Sequence, residues 1–392
     1  MDDMRKTRSR VAAVYEIIRS APALLVACGL SACHDLSSPT PKAPFDFSQD
    51  LLAPIPALDR AVGYAIGADG KVVGTAYQEL VIEQDKAARG VLWLNPQTPV
   101  PLDPPDVPPT LQPGWYEVWA HALNEVGDVA GWVHYIDGVT HAGGAAQAFR
   151  RWADGRFELL PRLLEYKGSF AYGINNAGDV VGCSGSSEYN EASMAVLWPA
   201  GGGMLLLGGL APTPTKEDCA NAINNHGVIA GTASTATGAE HAVIWRGAGE
   251  IVDLDTLPGF SSHAWAINER GEVAGDLLVP EIVGKQPAKW SADGKVTLLG
   301  APGGVGTYGR GLGINDLGDV VGYALASGRE HAMFWPHEGG AFDLSEIVSG
   351  TRLGRVTGSH ANSVSDNGDV TGYIVTLGLG TVAPIVWHYR RR

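Results

Sequence analysis

The nine residues "INNAGDVVG" at 174–182 recur along this chain, and they decide its fold. Close copies are "INNHGVIAG" at 223–231, "INERGEVAG" at 267–275 and "INDLGDVVG" at 314–322. Looser copies are "IGADGKVVG" at 66–74, "LNEVGDVAG" at 123–131 and "VSDNGDVTG" at 364–372. Seven copies of one unit in 392 residues predict a repeat architecture, in which each unit buries its core only against its neighbours.

Three positions recur in every copy. The first is a central glycine, found at Gly70, Gly127, Gly178, Gly227, Gly271, Gly318 and Gly368. A second glycine follows four residues later, at Gly74, Gly131, Gly182, Gly231, Gly275, Gly322 and Gly372. A tryptophan comes further on, at Trp93, Trp152, Trp198, Trp245, Trp290, Trp335 and Trp387. The central glycines are 44 to 57 residues apart, a spacing typical of propeller blades.

Each copy reads as four short strands. "CANAIN" (219–224) alternates large and small residues, "N-x-x-G" supplies a tight turn, and the following segment returns as the second strand of a hairpin. "HAVIW" (241–245) and "EIVDLDTL" (250–257) are the third and fourth strands. One such sheet cannot cover both of its faces. Seven sheets around an axis can, which predicts an all-β, seven-bladed propeller of four-stranded antiparallel blades.

The first strand of each copy has one face of small residues. They are Gly63/Ala65, Ala120/Ala122, Ala171/Gly173, Ala220/Ala222, Ala264/Ala266, Gly311/Gly313 and Ala361/Ser363. Because blades crowd together near a propeller axis, a nearly bare face is expected on the innermost strand. The first strand is therefore predicted to line the axis.

The ends of the chain predict how the ring closes. The last copy stops after its third strand, "PIVWHYRRR" (384–392), whereas "FDFSQDLLAPIPAL" (45–58) resembles the fourth-strand segment "AFDLSEIV" (341–348). Residues 45–58 are thus expected to complete the last blade and to remove exposed sheet edges. The propeller then spans 45–392, with repeats near 60–117, 118–168, 169–217, 218–261, 262–308, 309–358 and 359–392.

"HAVIW" (241–245) and "HAMFW" (331–335), each after an "IN-x-x-G" unit, resemble the bacterial extracellular HAF repeats, named for a His-Ala-Phe signature. The resemblance covers about residues 60–390. The third signature residue is Val or Met here, and copies 1, 3, 5 and 7 lack the histidine. The resemblance implies a secreted or surface-exposed repeat protein and no defined activity.

The first 44 residues precede the repeats. A basic start and the apolar stretch "APALLVACGLSA" (21–32) predict a signal peptide over 1–32, since twelve apolar residues are too few to span a bilayer. "LSAC" (30–33) resembles a lipoprotein box, so lipidation is expected at Cys33, with Cys28 as the second candidate. Residues 33–44 would be a flexible tether. The protein is then exported, either as an outer-membrane lipoprotein or to the cell surface or extracellular space.

Composition excludes some classes of partner. The formal net charge of −14 argues against nucleic acid and against unaided adsorption to anionic lipid, so a lipid anchor would be the only membrane contact. A monomer is expected. No loop combines enough oxygen ligands for Ca²⁺, no His/Cys spacing suits zinc, and no nucleophile motif occurs, so neither metal, cofactor nor catalytic residue is predicted. His241 and His331 recur at one repeat position, which favours a packing role.

Cys183 and Cys219 are predicted to form a disulfide. Export would place both in an oxidising compartment. Cys183 ends the second strand of one repeat and Cys219 begins the first strand of the next, so both lie at the same end of neighbouring blades. Two buried free thiols are the alternative.

Function is expected where the repeats differ. The hairpin turns share one end of the ring, and their sameness indicates a structural surface. At the other end, columns of large first-strand and second-strand residues vary and are rich in aromatics, His and Arg. They predict a ligand site at Trp119, His121, Trp132, His263, Trp265, Arg310 and His360. Packing alone is the competing interpretation.

Two function classes stay open. The first is a non-catalytic binding or scaffold module, membrane-tethered and surface-exposed, for a glycan, peptide or protein ligand. The second is a hydrolase or lyase acting on envelope or extracellular carbohydrate at the axis, and the missing catalytic motif favours the first.

Overall fold

The structure, a computed structural model, describes residues 45–56, 58–78, 88–104, 116–135, 146–163, 168–185, 193–213, 216, 218–254, 260–279, 284–301, 308–347, 355–377 and 381–391. The expected signal peptide and tether, with Cys28 and Cys33, lie outside this part of the chain. Within it, no helix is both long enough and apolar enough to cross a membrane.

These residues form a seven-bladed β-propeller, as the sequence predicts, and every blade is a four-stranded antiparallel sheet. Blade 1 holds β2 (Arg60–Ile66), β3 (Val72–Tyr77), β4 (Ala88–Trp93) and β5 (Pro99–Pro101). Blade 2 holds β6 (Tyr116–Leu123), β7 (Val129–Tyr135), β8 (Gln147–Arg151) and β9 (Phe157–Leu159). Blade 3 holds β10 (Ser169–Ile174), β11 (Val180–Ser184), β12 (Met194–Trp198) and β13 (Leu205–Leu206).

Blade 4 holds β14 (Cys219–Ile223), β15 (Val228–Ser234), β16 (Glu240–Arg246) and β17 (Ile251–Asp253). Blade 5 holds β18 (Ser262–Ile267), β19 (Val273–Leu278), β20 (Lys285–Trp290) and β21 (Val296–Leu298). Blade 6 holds β22 (Gly309–Ile314), β23 (Val320–Ala326), β24 (Arg329–Trp335) and β25 (Phe342–Asp343), followed by a 3-10 turn at Leu344–Glu346. Blade 7 holds β26 (Val356–Val364), β27 (Asp369–Thr376), β28 (Val382–Arg391) and β1 (Phe45–Leu51).

The N-terminal strand closes the ring. β1 pairs antiparallel with β28, from Phe45 opposite Arg391 to Leu51 opposite Ile385, and so takes the fourth place in blade 7. Phe45 is buried against the aromatic core of blades 6 and 7. The strand ends at Leu51. Beyond it, Leu52, Ile55 and Leu58 are buried in a cluster that contains Trp93 of blade 1.

The first strand of each blade is innermost, since the first strands of neighbouring blades contact one another around the whole ring. Each carries a β-bulge between its two small residues. The seven residues inside the bulges have no partner in the strand register, and they are Tyr64, His121, Tyr172, Asn221, Trp265, Leu312 and Asn362.

The bulge explains the second glycine column. In blade 4 a Cβ placed on Gly231 would collide with the backbone carbonyl of Cys219, just before the bulge, and all seven blades show the same collision. Only glycine lets the second strand approach so closely. The central glycine of each copy instead has a positive φ, for example 75° at Gly227, which the hairpin turn requires.

The tryptophan column holds in six blades and is wrong in blade 2. Six tryptophans are buried between blades, and several donate their indole N–H to a carbonyl that follows the fourth strand of the preceding blade, as Trp245 does to Gly208. In blade 2 the equivalent register position, opposite Val129, is Arg151. Trp152 lies one residue further on and is half-buried under the guanidinium of Arg150. The sequence match is therefore one residue out of register there.

Candidate functional site

The two ends of the propeller axis are candidate sites. At the turn end an asparagine joins two neighbouring blades in five of the seven repeats. The side-chain oxygen of Asn224 accepts hydrogen bonds from the backbone N–H groups of His226 and Val228 in its own turn. Its Nδ2 donates across the blade boundary to the carbonyl of Asn268, at 3.0 Å. The same donation links Asn124 to Asn175, Asn175 to Asn224, Asn268 to Asn315, and Asn315 to Ser365.

A second set of hydrogen bonds runs parallel to the first. The residue after each asparagine offers its backbone N–H to the side chain of the equivalent residue in the next blade. The pairs are Glu125 to Asn176, Asn176 to Asn225, Asn225 to Glu269, Glu269 to Asp316, and Asp316 to Asp366. We call these two sets the turn-end ladder. Blade 1 has Gly67 and Ala68 at these positions. Blade 7 contacts blade 1 through Asn367, whose side-chain amide donates a hydrogen bond to the Ala68 carbonyl.

The ladder surrounds an axial cavity of about 270 Å³. Its floor is a ring of aliphatic side chains at the ends of the first strands, namely Ile66, Leu123, Ile174, Ile223, Ile267, Ile314 and Val364. Its rim is polar and carries the carboxylates of Glu125, Glu269, Asp316 and Asp366. Burial, with the neighbouring Asp316 and Glu125 charges, raises the pKa of Asp366. Sequence reasoning missed this cavity because it treated the turn end as a purely structural surface.

At the other end, which we call the loop end, an aromatic cluster spans blades 1 to 3. The bulged Tyr64 and His121 stack with ring centroids 4.1 Å apart, and His121 stacks on Trp132 at 4.3 Å. Trp119 lies parallel to Trp132 at 6.1 Å, and Tyr172 of blade 3 packs edge-on against His121 at 5.7 Å. Burial in this cluster lowers the pKa of His121 to about 3, so the ring is neutral at physiological pH.

A charged cluster lies at the loop end between blades 5 and 6. Asp276 is fully buried, with Oδ1 2.8 Å from Nδ1 of His263 and Oδ2 accepting from the indole N–H of Trp265 at 2.7 Å. Arg310 lies over the Trp265 ring, 5.2 Å from its centroid, with Nε 3.5 Å from Oδ2 of Asp276. Burial alone lowers the pKa of His263, but its hydrogen bonds to Asp276 and Glu240 outweigh burial and raise it.

A third group connects blades 6 and 7. Tyr323 and His360 stack with centroids 3.9 Å apart, and Glu330 lies 2.8 Å from Nε2 of His360. Burial lowers the pKa of His360, against the opposing effect of Glu330. Tyr373 packs against His360 at 4.9 Å, and burial raises the Tyr373 pKa to about 12.

The seven predicted ligand residues thus fall into three groups at the loop end. Trp119, His121 and Trp132 belong to the aromatic cluster, and His263, Trp265 and Arg310 belong to the charged cluster. His360 belongs to the third group. His263 is buried and the other six are half-buried. That they serve one ligand stays a prediction.

Sequence reasoning missed several members of these groups. Tyr64 occupies the same first-strand column as His121, so the repeat alignment could have found it. Asp276 and Tyr323 each follow the second glycine of their repeat, so the repeat alignment places them in one column. Lys285 and Glu330 lie on third strands, and only the fold brings them next to His263 and His360.

Cys183 and Cys219 are joined by a disulfide in the structure, with Cα atoms 4.8 Å apart. The bond links the second strand of blade 3 to the first strand of blade 4, at the loop end. It lies next to Phe170, which contacts the aromatic cluster through Trp132.

The recurring histidines form a repeated pair with the fourth strand. His241 Nδ1 lies 2.8 Å from a carboxylate oxygen of Asp253, and His331 and Asp343 repeat the contact in blade 6 at 2.6 Å. The pairing tethers the short fourth strand, consistent with a packing role. In the described ranges, no group of three or more His, Cys, Asp or Glu side chains is arranged to hold a metal ion.

No protein-family model matches the chain, and no curated protein matches its sequence. Solved structures share its fold. A catalytically inactive virginiamycin B lyase from Staphylococcus aureus, determined with quinupristin, is 10% identical with a TM-score of 0.51, over 88% of this chain and 99% of that one. An oligogalacturonate lyase from Vibrio parahaemolyticus is 10% identical, with a TM-score of 0.51, over 88% and 96%. The propeller domain of the Trilobed protease from Pyrococcus furiosus is 8% identical, with a TM-score of 0.50, over 86% and 95%.

These identities show the β-propeller fold and nothing finer. The resemblance to HAF repeats stays a prediction.

Proposed function

We propose that this propeller is a non-catalytic binding module whose ligand docks at the loop end of the axis, and that the ligand is a glycan. One observation carries the proposal: bulges in the first strands place Tyr64, His121 and Trp265 at the axis outside the strand register. A bulged residue forms no partner pair in the sheet, so its side chain is free to vary from blade to blade. In this chain that freedom is used for large aromatic and polar groups.

The two axial ends differ in how far their polar groups are already engaged. The amides and carboxylates of the turn-end residues already form the hydrogen bonds of the ladder between blades. The loop-end rings of Trp132 and Trp265 are half-buried and keep part of their surface open. Such surfaces can stack on the apolar face of a sugar ring, while nearby polar groups bind its hydroxyls.

The test is glycan binding by the mature protein, followed by one pair of matched variants. Trp132→Ala removes the ring at the centre of the aromatic cluster. Trp152→Ala makes the same substitution in the same blade, away from the axis. We expect Trp132→Ala to weaken glycan binding at least about tenfold. Stacking of a flat ligand face on an aromatic side chain contributes roughly 1–3 kcal/mol to binding.

We expect Trp152→Ala to leave binding unchanged. Equal affinity for the wild type and Trp132→Ala, with both folded, would contradict the proposal. A peptide array run in parallel covers the other ligand class.

The enzymatic alternative has one supporting observation. His360 and Glu330 form a dyad beside Tyr323 at the loop end, and such a pair could move a proton. Asp276 is a poor candidate because it is fully buried with both oxygens engaged. Incubation with polysaccharides should release no new reducing ends or unsaturated products. Their appearance in the wild type and loss in His360→Gln would favour a hydrolase or lyase.

We also propose export and tethering by a lipid on Cys33. The support is the sequence alone, and Cys33 lies outside the described residues. Metabolic labelling with a radioactive fatty acid should mark the wild type, and Cys33→Ser should abolish the label. A label that survives Cys33→Ser and disappears in Cys28→Ser would move the processing site to Cys28.

A further inference from the structure

We infer that Arg310, held on Trp265, is a carboxylate-binding subsite, so that the preferred ligand is an acidic glycan built from uronate units. This inference rests on the proposed glycan-binding function and names its ligand class. It begins from the charges around Asp276.

One buried carboxylate faces an excess of cationic groups. Arg310, Lys285 and His263 all approach Asp276, at 3.5, 3.8 and 2.8 Å. Glu240 lies near His263 at 3.8 Å, but it also faces Lys216 at 3.5 Å. Arg310 and Lys285 therefore share one carboxylate, since Asp276 is the acidic group that both approach. A guanidinium that shares its carboxylate in this way can bind a further anion.

Arg310 is the group best placed to bind such an anion. The Asp276 carboxylate lies near its Nε, and the indole of Trp265 supports its plane. Its Nε is buried without a hydrogen-bond partner, and its two terminal nitrogens make no hydrogen bond within the described ranges. The side chain is 28% exposed. A guanidinium in this state can offer its outer edge to a carboxylate through two parallel hydrogen bonds.

Lys285 strengthens the site as a second charge. Its Nζ lies 3.4 Å from Nδ1 of His263, which Asp276 already contacts, so that nitrogen is a poor partner for an ammonium. The Lys285 side chain is 29% exposed at the edge of the cluster. Arg310 also acts electrostatically on Tyr323 and His360, and Glu330 lies 2.8 Å from Nε2 of His360. Glu330 is therefore a nearby carboxylate that opposes the binding of an anion.

The aromatic groups favour a sugar acid over an acidic peptide. A uronate ring presents an apolar face for stacking and a carboxylate at its edge. The half-buried rings of Trp265 and His360 lie near the guanidinium, while Tyr323, which stacks on His360, is itself buried. An acidic peptide would use the charge and leave the rings unused.

The experiment compares three probes by calorimetry on the folded full-length mature protein: oligogalacturonate, a neutral galactose oligomer of equal length, and oligoglutamate. The expected order has oligogalacturonate bound most tightly. Arg310→Gln should weaken oligogalacturonate binding about tenfold or more and weaken the neutral oligomer much less, because only the acidic ligand loses charge-assisted hydrogen bonds. Lys285→Gln should cause a smaller loss. Arg246→Gln, which removes an exposed arginine at the turn end of blade 4, is the matched control.

Wild-type protein that binds both oligosaccharides equally would overturn the subsite and keep the proposed function. Oligoglutamate binding more tightly than oligogalacturonate would overturn the subsite as well. Binding of neither oligosaccharide would overturn the subsite, and failure to bind any glycan would overturn the proposed function as well. If Arg310→Gln does not fold, Arg310→Lys keeps the charge and loses the paired hydrogen bonds, and an unchanged affinity in that variant would contradict the bidentate contact.

Discussion

The two ends of the axis hold the same seven blades together in different ways. At the turn end one device is repeated: an asparagine caps its own hairpin and donates to the next blade, as Asn224 does to Asn268. At the loop end the contacts differ from one boundary to another. Tyr64 stacks on His121, Cys183 is bonded to Cys219, and Asn221 donates to Ala264.

This difference shows where the chain is free to change. A repeated ladder stabilises the ring without using the loop end, so residues there can vary in type. The ladder does not continue through blade 1, because Gly67 and Ala68 have no polar side chain that could extend it. There the loop-end stack of Tyr64 on His121 joins blades 1 and 2 instead.

The largest effect should come from removing the strand that both ends depend on. Deleting residues 34–59 from the mature protein removes β1 and the buried Leu52, Ile55 and Leu58, so blade 7 loses its outer strand and the seam with blade 1 opens. We expect no cooperative thermal transition, or one at a much lower temperature. Deleting residues 34–43 should leave the melting temperature unchanged. If both truncations melt alike, β1 is not needed for closure.

The disulfide is the next largest contribution and belongs to the loop end alone. Closing a 36-residue separation should stabilise the fold by about 4 kcal/mol on the chain-entropy model. Cys183→Ala with Cys219→Ala should lose most of this in urea unfolding, whereas the wild type should lose it only under reductant. Titration of denatured, unreduced mature protein should find neither thiol. Two free thiols there would show that the bond does not form.

Two asparagines of blade 4, Asn221 on β14 and Asn224 in the turn after it, compare the ends directly. Asn224→Ala leaves N–H groups of the turn and the carbonyl of Asn268 without their hydrogen-bond partner. We therefore expect the free energy of unfolding to fall by about 2–3 kcal/mol. Asn221→Ala removes one half-buried donation to Ala264, so we expect about 1 kcal/mol. Equal losses by chemical denaturation would mean that the ladder is not the stronger connection.

The smallest effect is a pH dependence at the loop end. His121 has a folded-state pKa of about 3, below its ordinary value near 6.5. Between these values the unfolded chain binds a proton that the folded protein does not, so this residue makes stability fall as pH drops below about 6.5. His121→Phe keeps the stack and removes the titration.

The wild type should therefore lose roughly 1–2 kcal/mol more than His121→Phe between pH 7 and 4.5, a value reduced because the ring is only half-buried. Parallel pH profiles of the two proteins would show that His121 is hydrated in the folded state.

Much of the fold could be predicted from the sequence because each weak sequence signal recurs in seven copies. The glycine columns and the small first-strand faces each reflect a requirement that is met seven times, and the missing last strand showed that β1 must return. The prediction failed at Trp152 because a spacing count cannot see that Arg151 occupies the register position opposite Val129.

The loop-end residues could be predicted only as columns of unusual types. The sequence determined by itself the blade number, the closure and which end of each hairpin varies, since these follow from strand period, turn chemistry and the need to bury both sheet faces. Only the tertiary structure decided that bulges place Tyr64, His121 and Trp265 outside the strand register, and that Arg310 meets Asp276 across a blade boundary. Those contacts join residues far apart in the chain, and their distances depend on how neighbouring blades pack.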